Sequence, residues 1–148
     1  MALDSIRLTE HVHGHIGWLA AAILIHPAIV LRNRKRQAHL AVGLAAAFVT
    51  VAGGLGCWVY VAYRDKLKQA IFQTSPFVGL LMERKEHLAF GAVFLAWAGA
   101  LAYFAAPRAE PDTRELLRTI AFRAFAASAA LAIVVAALGT FIAVTKTF

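Results

Sequence analysis

Four long apolar stretches constrain this chain more than any other feature of its sequence. A membrane-spanning helix needs about 20 mostly apolar residues, and such spans are predicted at 13–31, 39–63, 87–106 and 119–145. Of the 148 residues 61% are hydrophobic and only 16% are charged, whereas soluble domains average about 45–50% apolar and about 25% charged residues. The sequence therefore predicts an all-α integral membrane protein and argues against an ordinary soluble domain.

The four spans are predicted to form one domain, 1–148, folded as an up-down four-helix bundle. Two of the three connections are short, which favours antiparallel neighbours, and the spans are rich in small residues, which let helices approach closely in lipid. The longer connection, at about 66–84, mixes apolar and polar residues. It is predicted to hold an amphipathic helix on the membrane surface, the alternative being an ordered loop packed over the bundle end.

The two ends of the predicted bundle are called side A, with both termini and the 66–84 connection, and side B, with the other two connections. The net charge is +7, a surplus that in membrane proteins is typical of cytoplasmic loops and predicts lipid contact rather than nucleic-acid binding. The compact cluster Arg32–Arg36 follows the first span on side B and contains no acidic residue. By the positive-inside rule, side B is predicted to face the cytoplasm of a bacterial inner membrane, with both termini periplasmic.

All six histidines lie in or beside the first three predicted spans, at His11, His13, His15, His26, His39 and His87. Ionisable residues within membrane spans are uncommon and indicate function. Helical geometry places His15 and His26 within about 20° on one face of the first span, about 16–17 Å apart along it. In an up-down path His39 then lies at the level of His26 on side B. By the same path His87 lies at the level of His15 on side A.

Two imidazoles from facing helices are the axial ligands that a six-coordinate haem requires, and helical bundles commonly build cofactor sites in this way. The histidines therefore predict two b haems, one held by His26 and His39 near side B. The other is predicted near side A, held by His87 with His15 or His11. A row of small residues on the face of His39 would leave room for a macrocycle: Gly43, Ala46, Thr50, Gly53 and Cys57.

Cations are expected beside haem propionates. Arg123, at the start of the fourth span, is the predicted partner on side B, and Arg84 and Lys85 are the predicted partners on side A. Each feature also has a purely structural interpretation. The side chain of Arg123 can extend to the lipid headgroups, small residues can serve tight helix packing, and histidines at helix starts can be interfacial residues without a ligand. One haem, or none, therefore stays an alternative to two.

The run His11-Val12-His13-Gly14-His15 has a second interpretation as a metal site. Three imidazoles at alternate positions of an extended segment could bind Cu or Zn, and Gly14 favours a loop at this point. In a helix only two of the three histidines share a face. Elsewhere the chain contains no nucleophile elbow, zinc-protease helix or phosphate-binding loop.

The order of these motifs resembles small bacterial four-helix membrane proteins. The resemblance lies in His26-Pro27 in the first span and in two basic turns, each followed by a histidine, at the starts of the second and third spans. These turns read Arg34-Lys35-Arg36-Gln37-Ala38-His39 and Glu83-Arg84-Lys85-Glu86-His87. Such proteins include b-type transmembrane cytochromes and families linked to respiratory oxidase assembly. The resemblance implies axial ligation by His26, His39 and His87, with the fourth ligand His15 and with His11 and His13 as its alternatives.

The resulting functional prediction is a membrane electron-transfer subunit with two b haems. It would exchange electrons between a quinol pool and a partner redox protein within a larger complex, because the chain has little room for a soluble catalytic domain of its own. The alternative is a non-redox accessory or assembly subunit of a respiratory complex that binds copper through His11, His13 and His15.

Overall fold

A computed structural model describes the backbone of residues 3–33 and 36–145, and the side chains of residues 8–33, 36–61, 63–65 and 67–145. This part of the chain is almost wholly helical and contains no strand. Its α-helices are α1 (Leu3–Val30), α2 (His39–Lys66), α3 (Lys68–Thr74), α4 (Pro76–Ala105) and α5 (Pro111–Thr145), and a 3-10 turn, Ala106–Arg108, follows α4. The predicted all-α fold is confirmed.

Four segments that are long and apolar enough to cross a membrane coincide with the four long helices, the third continuing through the 3-10 turn after α4. These segments are Leu8–Val30, His39–Asp65, Pro76–Arg108 and Pro111–Thr145. The last two have 33 and 35 residues, so at about 1.5 Å per residue each is about 50 Å long, against a hydrocarbon core of about 30 Å. The chain is a multi-pass membrane protein whose longest helices extend past the hydrocarbon core.

The helix α4 begins at Pro76, well before the predicted start at His87. Ser75 explains this start, since its side chain accepts a hydrogen bond from the Val78 N–H at 3.4 Å and Pro76 occupies the first helical turn, where proline is favoured. The predicted surface segment 66–84 is therefore divided between α3 and the first turns of α4. In the same way α5 begins at Pro111 rather than at residue 119.

The long helices form a closed ring in the order α1, α2, α4, α5, in which each packs against two antiparallel neighbours. As a result α1 and α4 stand on one diagonal of the bundle. Small residues fill much of the core, and the close approach of α4 and α5 depends on them. A Cβ atom at Gly99 would lie 2.9 Å from the ring of the fully buried Phe125, and the buried Ser128 hydroxyl donates to the Ala92 carbonyl at 2.7 Å.

The short helix α3 lies across the side-A end of α2 and α4. Its Ile71 is buried in a small apolar cluster with Tyr63 of α2, and its Phe72 rests directly on Gly79 of α4. A Cβ atom at Gly79 would lie 2.7 Å from the Phe72 ring, so glycine at this position allows α3 to pack against the backbone of α4.

Candidate functional site

The side-B end of the bundle contains an open groove between the last turns of α1 and the start of α2. Its volume is about 620 Å³, within the range of about 300–1,000 Å³ that is usual for small-molecule sites. His26 of α1 and His39 of α2 both line this groove, together with Arg36 and Gln37 of the connection. The structure thus brings to one place the two histidines that the sequence paired on side B.

The ring of His39 is held by two aromatic side chains of α4. Its centroid lies 5.3 Å from that of Tyr103 in an edge-to-face arrangement and 6.1 Å from that of Phe104. The Tyr103 hydroxyl also accepts a hydrogen bond from the Ala38 N–H at 2.6 Å. Because Ala38 is the N-cap of α2 and has no side-chain cap, Tyr103 fixes both the backbone before His39 and the imidazole ring itself.

His26 reaches the groove from a continuous helix. The helix α1 runs through Pro27 to Val30, although proline offers no N–H to the preceding turn, and the Leu31 N–H donates to the Pro27 carbonyl at 2.9 Å. The ring of His26 is exposed, whereas Pro27 beside it is buried. Pro27 therefore anchors this turn in the bundle while His26 stays accessible.

The cation in the groove is Arg36, not the predicted Arg123. Arg123 is exposed on α5 and is not among the residues that line the groove. The reason is topological, because α5 contacts α1 on the side away from α2. The exposed guanidinium of Arg36 lies in the connection that leads directly into His39.

On side A the predicted pair of His15 and His87 is not brought together. Both side chains are exposed, and their helices α1 and α4 stand on a diagonal of the ring. Nδ1 of His15 donates to the His11 carbonyl at 2.8 Å, and Nδ1 of His87 donates to the Glu83 carbonyl at 2.7 Å. Since a carbonyl only accepts, the neutral form of each imidazole would have Nε2 free to bind a metal, but each ring lies on its own face. The exposed His11 lies one turn before His15 and does not supply the missing partner.

The run from His11 to His15 is helical, which separates its three imidazoles. His11 and His15 share an exposed face, whereas His13 is half-buried against Gly56 of α2, where an added Cβ would lie 3.0 Å from its ring. Within the described residues no group of three or more His, Cys, Asp or Glu side chains could hold a metal ion. The helix therefore does not assemble the predicted Cu or Zn site at His11, His13 and His15.

Two members of the row of small residues on α2, Thr50 and Gly53, pack against α4, whereas the space beside Gly43 is open and Cys57 is exposed. The space beside Gly53 is taken by Val93, whose side chain would lie 3.1 Å from an added Cβ. One turn away Trp97 donates from its indole nitrogen to the Thr50 hydroxyl at 2.8 Å. At Thr50 and Gly53 the contacts therefore support the structural interpretation, tight helix packing.

A second polar region, which the sequence did not reveal, lies at the side-A end beneath α3. Lys68 of α3 forms a salt bridge of 2.7 Å with Glu83 of α4, and this hydrogen-bonded carboxylate raises the pKa of the Lys68 ammonium. Nearby, Tyr63 of α2 and Glu86 of α4 each bury a polar oxygen that has no hydrogen-bonding partner in the described part of the chain. The groups come from three helices, so no local motif could have identified them.

Fold and groove together define the class, an all-α multi-pass membrane bundle with a groove on side B that two histidines line. Comparison with models of protein families, with curated proteins and with solved structures finds no match for this chain. Function is therefore argued from the groove and its residues.

Proposed function

We propose that this protein is a membrane electron-transfer subunit that binds a b haem between His26 and His39 on side B. The observation that carries the proposal is the shared groove, which two imidazoles from two different helices line beside Arg36. Bis-imidazole ligation between helices is a common way for helical bundles to hold haem. The haem would supply a one-electron redox couple, and the residues of the chain would bind and orient it.

The other residues of the groove suit this role. The aromatic side chains around His39 fix the plane of its ring, as the partners of a metal-binding histidine commonly do. The guanidinium of Arg36 would pair with a propionate through charge-assisted hydrogen bonds. The groove is open, so an edge of the haem would remain accessible to a quinol or to a partner redox subunit in a larger complex.

The proposal assigns one haem to each chain. A second haem on side A, as the sequence predicts, would need both axial ligands within one chain, and His15 and His87 lie on exposed faces of helices that are not neighbours. Each could ligate only together with a histidine from another subunit. The proposed site therefore involves His26, His39 and Arg36, without His15, His87 or Arg123.

The proposed setting is the inner membrane of a bacterium, with side B on the cytoplasmic face and both termini in the periplasm. The exposed side chains of Arg32 and Arg36 on side B support this orientation. Labelling of an Asn33→Cys variant, made in a Cys57→Ser background, tests it in intact cells. A membrane-impermeant maleimide should leave position 33 unlabelled until the membrane is opened, and labelling from the periplasm would contradict the orientation.

A reduced-minus-oxidised spectrum of the purified protein tests the haem site. The wild type is expected to show a b-type α-band, and His39→Ala and His26→Ala are each expected to abolish or broaden it. His87→Ala is the matched control, because it removes an exposed histidine of the same bundle that lies outside the groove, and it should keep full haem content by pyridine haemochrome. A wild type without haem, or a His39→Ala variant with an unchanged band, would refute the proposal.

A further inference from the structure

Two exposed imidazoles lie one turn apart at the side-A end of α1. His11 and His15 are both exposed, and a separation of four residues in a helix places their Cβ atoms about 5–6 Å apart on one face. Nδ1 of His15 also donates to the His11 carbonyl at 2.8 Å. This hydrogen bond holds the His15 ring back over the helical turn that carries His11.

The same hydrogen bond determines which nitrogen of His15 is available to a ligand. With Nδ1 bonded to a carbonyl, the neutral imidazole has its free lone pair on Nε2. Two histidines four residues apart on one helix face bind a single metal ion in the zinc-protease helix. Ligands on one helix face reach an ion from the same side, whereas the two axial ligands of a haem stand on opposite sides of its iron. The pair of His11 and His15 therefore suits a metal ion rather than a haem.

The surroundings of the pair limit the protein ligands to two. His13 faces Gly56 of α2, and within the part of the chain that the structure describes no third His, Cys, Asp or Glu side chain completes a metal-binding group. An added Cβ atom at Gly14, between the two histidines in sequence, would have no neighbouring atom within 4 Å. This side of α1 is therefore open, and water can occupy the remaining positions around an ion.

The two nitrogen ligands determine the class of metal. Imidazole suits Cu²⁺, Ni²⁺ and Zn²⁺, whereas Mg²⁺ and Ca²⁺ prefer oxygen ligands. Among the divalent ions Cu²⁺ is bound most tightly, and its tetragonal geometry accepts a mixture of nitrogen and oxygen ligands. Two imidazoles and water therefore favour Cu²⁺.

The pair lies where ions from the aqueous phase can reach it. The predicted span 13–31 is about 28 Å long at about 1.5 Å per residue, close to the hydrocarbon core of about 30 Å. His11 precedes this span, and His15 lies in its first turn. Both imidazoles therefore lie at the membrane–water boundary of side A.

We propose that His11 and His15 form a binding site for one Cu²⁺ ion at the side-A surface, with Zn²⁺ as a weaker ligand of the same site. The two imidazoles supply adjacent nitrogen ligands and water fills the other positions. The ion binds and dissociates without transfer of an electron. The site is independent of the proposed haem groove, which lies at the opposite end of the bundle.

Electron paramagnetic resonance with Cu²⁺–iminodiacetate tests this site on the full chain, purified in detergent without a polyhistidine tag. The chelator takes part of the coordination sphere and leaves adjacent positions for two imidazoles, which suppresses binding to single histidines. The wild type should bind one probe per chain, with hyperfine structure from imidazole nitrogens. His11→Ala and His15→Ala should each weaken binding by at least about tenfold, because even groups that only support a metal ligand contribute about 10–100-fold.

His87→Ala is the matched control. His87 is also exposed, and its Nδ1 likewise donates to the carbonyl four residues earlier, at 2.7 Å. That earlier residue is Glu83, which forms a salt bridge with Lys68, so His87 has no second imidazole one turn before it. The His87→Ala variant should bind the probe as the wild type does. The His39→Ala variant should also keep binding, which separates this site from the groove.

Three results would overturn the proposal. One is a wild type that does not bind the probe, and another is binding that is unchanged in His11→Ala or His15→Ala. The third is loss of binding in His39→Ala, which would assign the copper to the side-B groove. Both alanine substitutions lie at exposed helical positions, where alanine is favourable, and circular dichroism checks that the helices are intact.

Discussion

Replacing Tyr103 with phenylalanine tests how the start of α2, and with it His39, is held in place. The substitution keeps the ring that packs edge-to-face against His39 but removes the hydroxyl that accepts from the Ala38 N–H at 2.6 Å. Ala38 is 8% exposed, so its N–H would be left buried without its acceptor.

The expected loss of stability follows from the burial of the Ala38 N–H. A buried donor left without its partner costs about 1–3 kcal/mol. If this loss lowers the free energy of local opening at the start of α2 by the same amount, amide hydrogen exchange of Ala38 should be faster by about 5- to 150-fold. The same change should loosen the backbone before His39, so haem affinity at the proposed groove should fall while the aromatic contact to the ring remains.

Hydrogen–deuterium exchange of the purified protein, resolved to the start of α2, measures this effect. The control is Tyr60→Phe, which removes a hydroxyl from a half-buried tyrosine at the side-A end and should leave exchange at Ala38 unchanged. Exchange at Ala38 in Tyr103→Phe within twofold of the wild type would show that the hydroxyl does not hold this helix start.

Three further predictions concern packing and pH. Gly79→Ala should destabilise the docking of α3 by about 1–3 kcal/mol, because the new Cβ would meet the Phe72 ring at 2.7 Å. Faster proteolysis of the chain near α3 would show this destabilisation. Ser128→Ala should lower the free energy of unfolding by about 0.6–1.7 kcal/mol, because it removes the hydroxyl that donates to the Ala92 carbonyl of α4 at 2.7 Å. An SDS unfolding titration measures this loss. Since Glu83 raises the pKa of Lys68, this salt bridge stabilises α3 docking below the ordinary lysine pKa and is lost as the pH rises through the folded-state pKa. Lys68→Gln should therefore remove the alkaline loosening of α3 in a proteolysis–pH profile, and a profile identical to the wild type would contradict this.

The spans and the helical register could be predicted from the sequence because both depend on local properties. A helix satisfies its own backbone hydrogen bonds within lipid, so a long apolar stretch is sufficient to predict a span. The angular positions predicted for the histidines around α1 agree with the structure, since His15 and His26 are both exposed and His13 is half-buried away from them. The early starts of α4 and α5 were missed because they lie in polar sequence, where Ser75-Pro76 and Pro111 are the signals that mark them.

The sequence by itself determined that this chain forms four membrane-spanning helices, and only the tertiary structure decided which face of each helix points inward. In a membrane the lipid is as apolar as the core, so hydrophobicity does not distinguish the two faces; Leu40 and Phe94 are 75% and 73% exposed although both are strongly apolar. The ring order of the helices placed His26 and His39 on one groove and kept His15 apart from His87. The same order brought Tyr63 and Met82 together beneath α3, because contacts between helices distant in sequence arise only when the bundle closes.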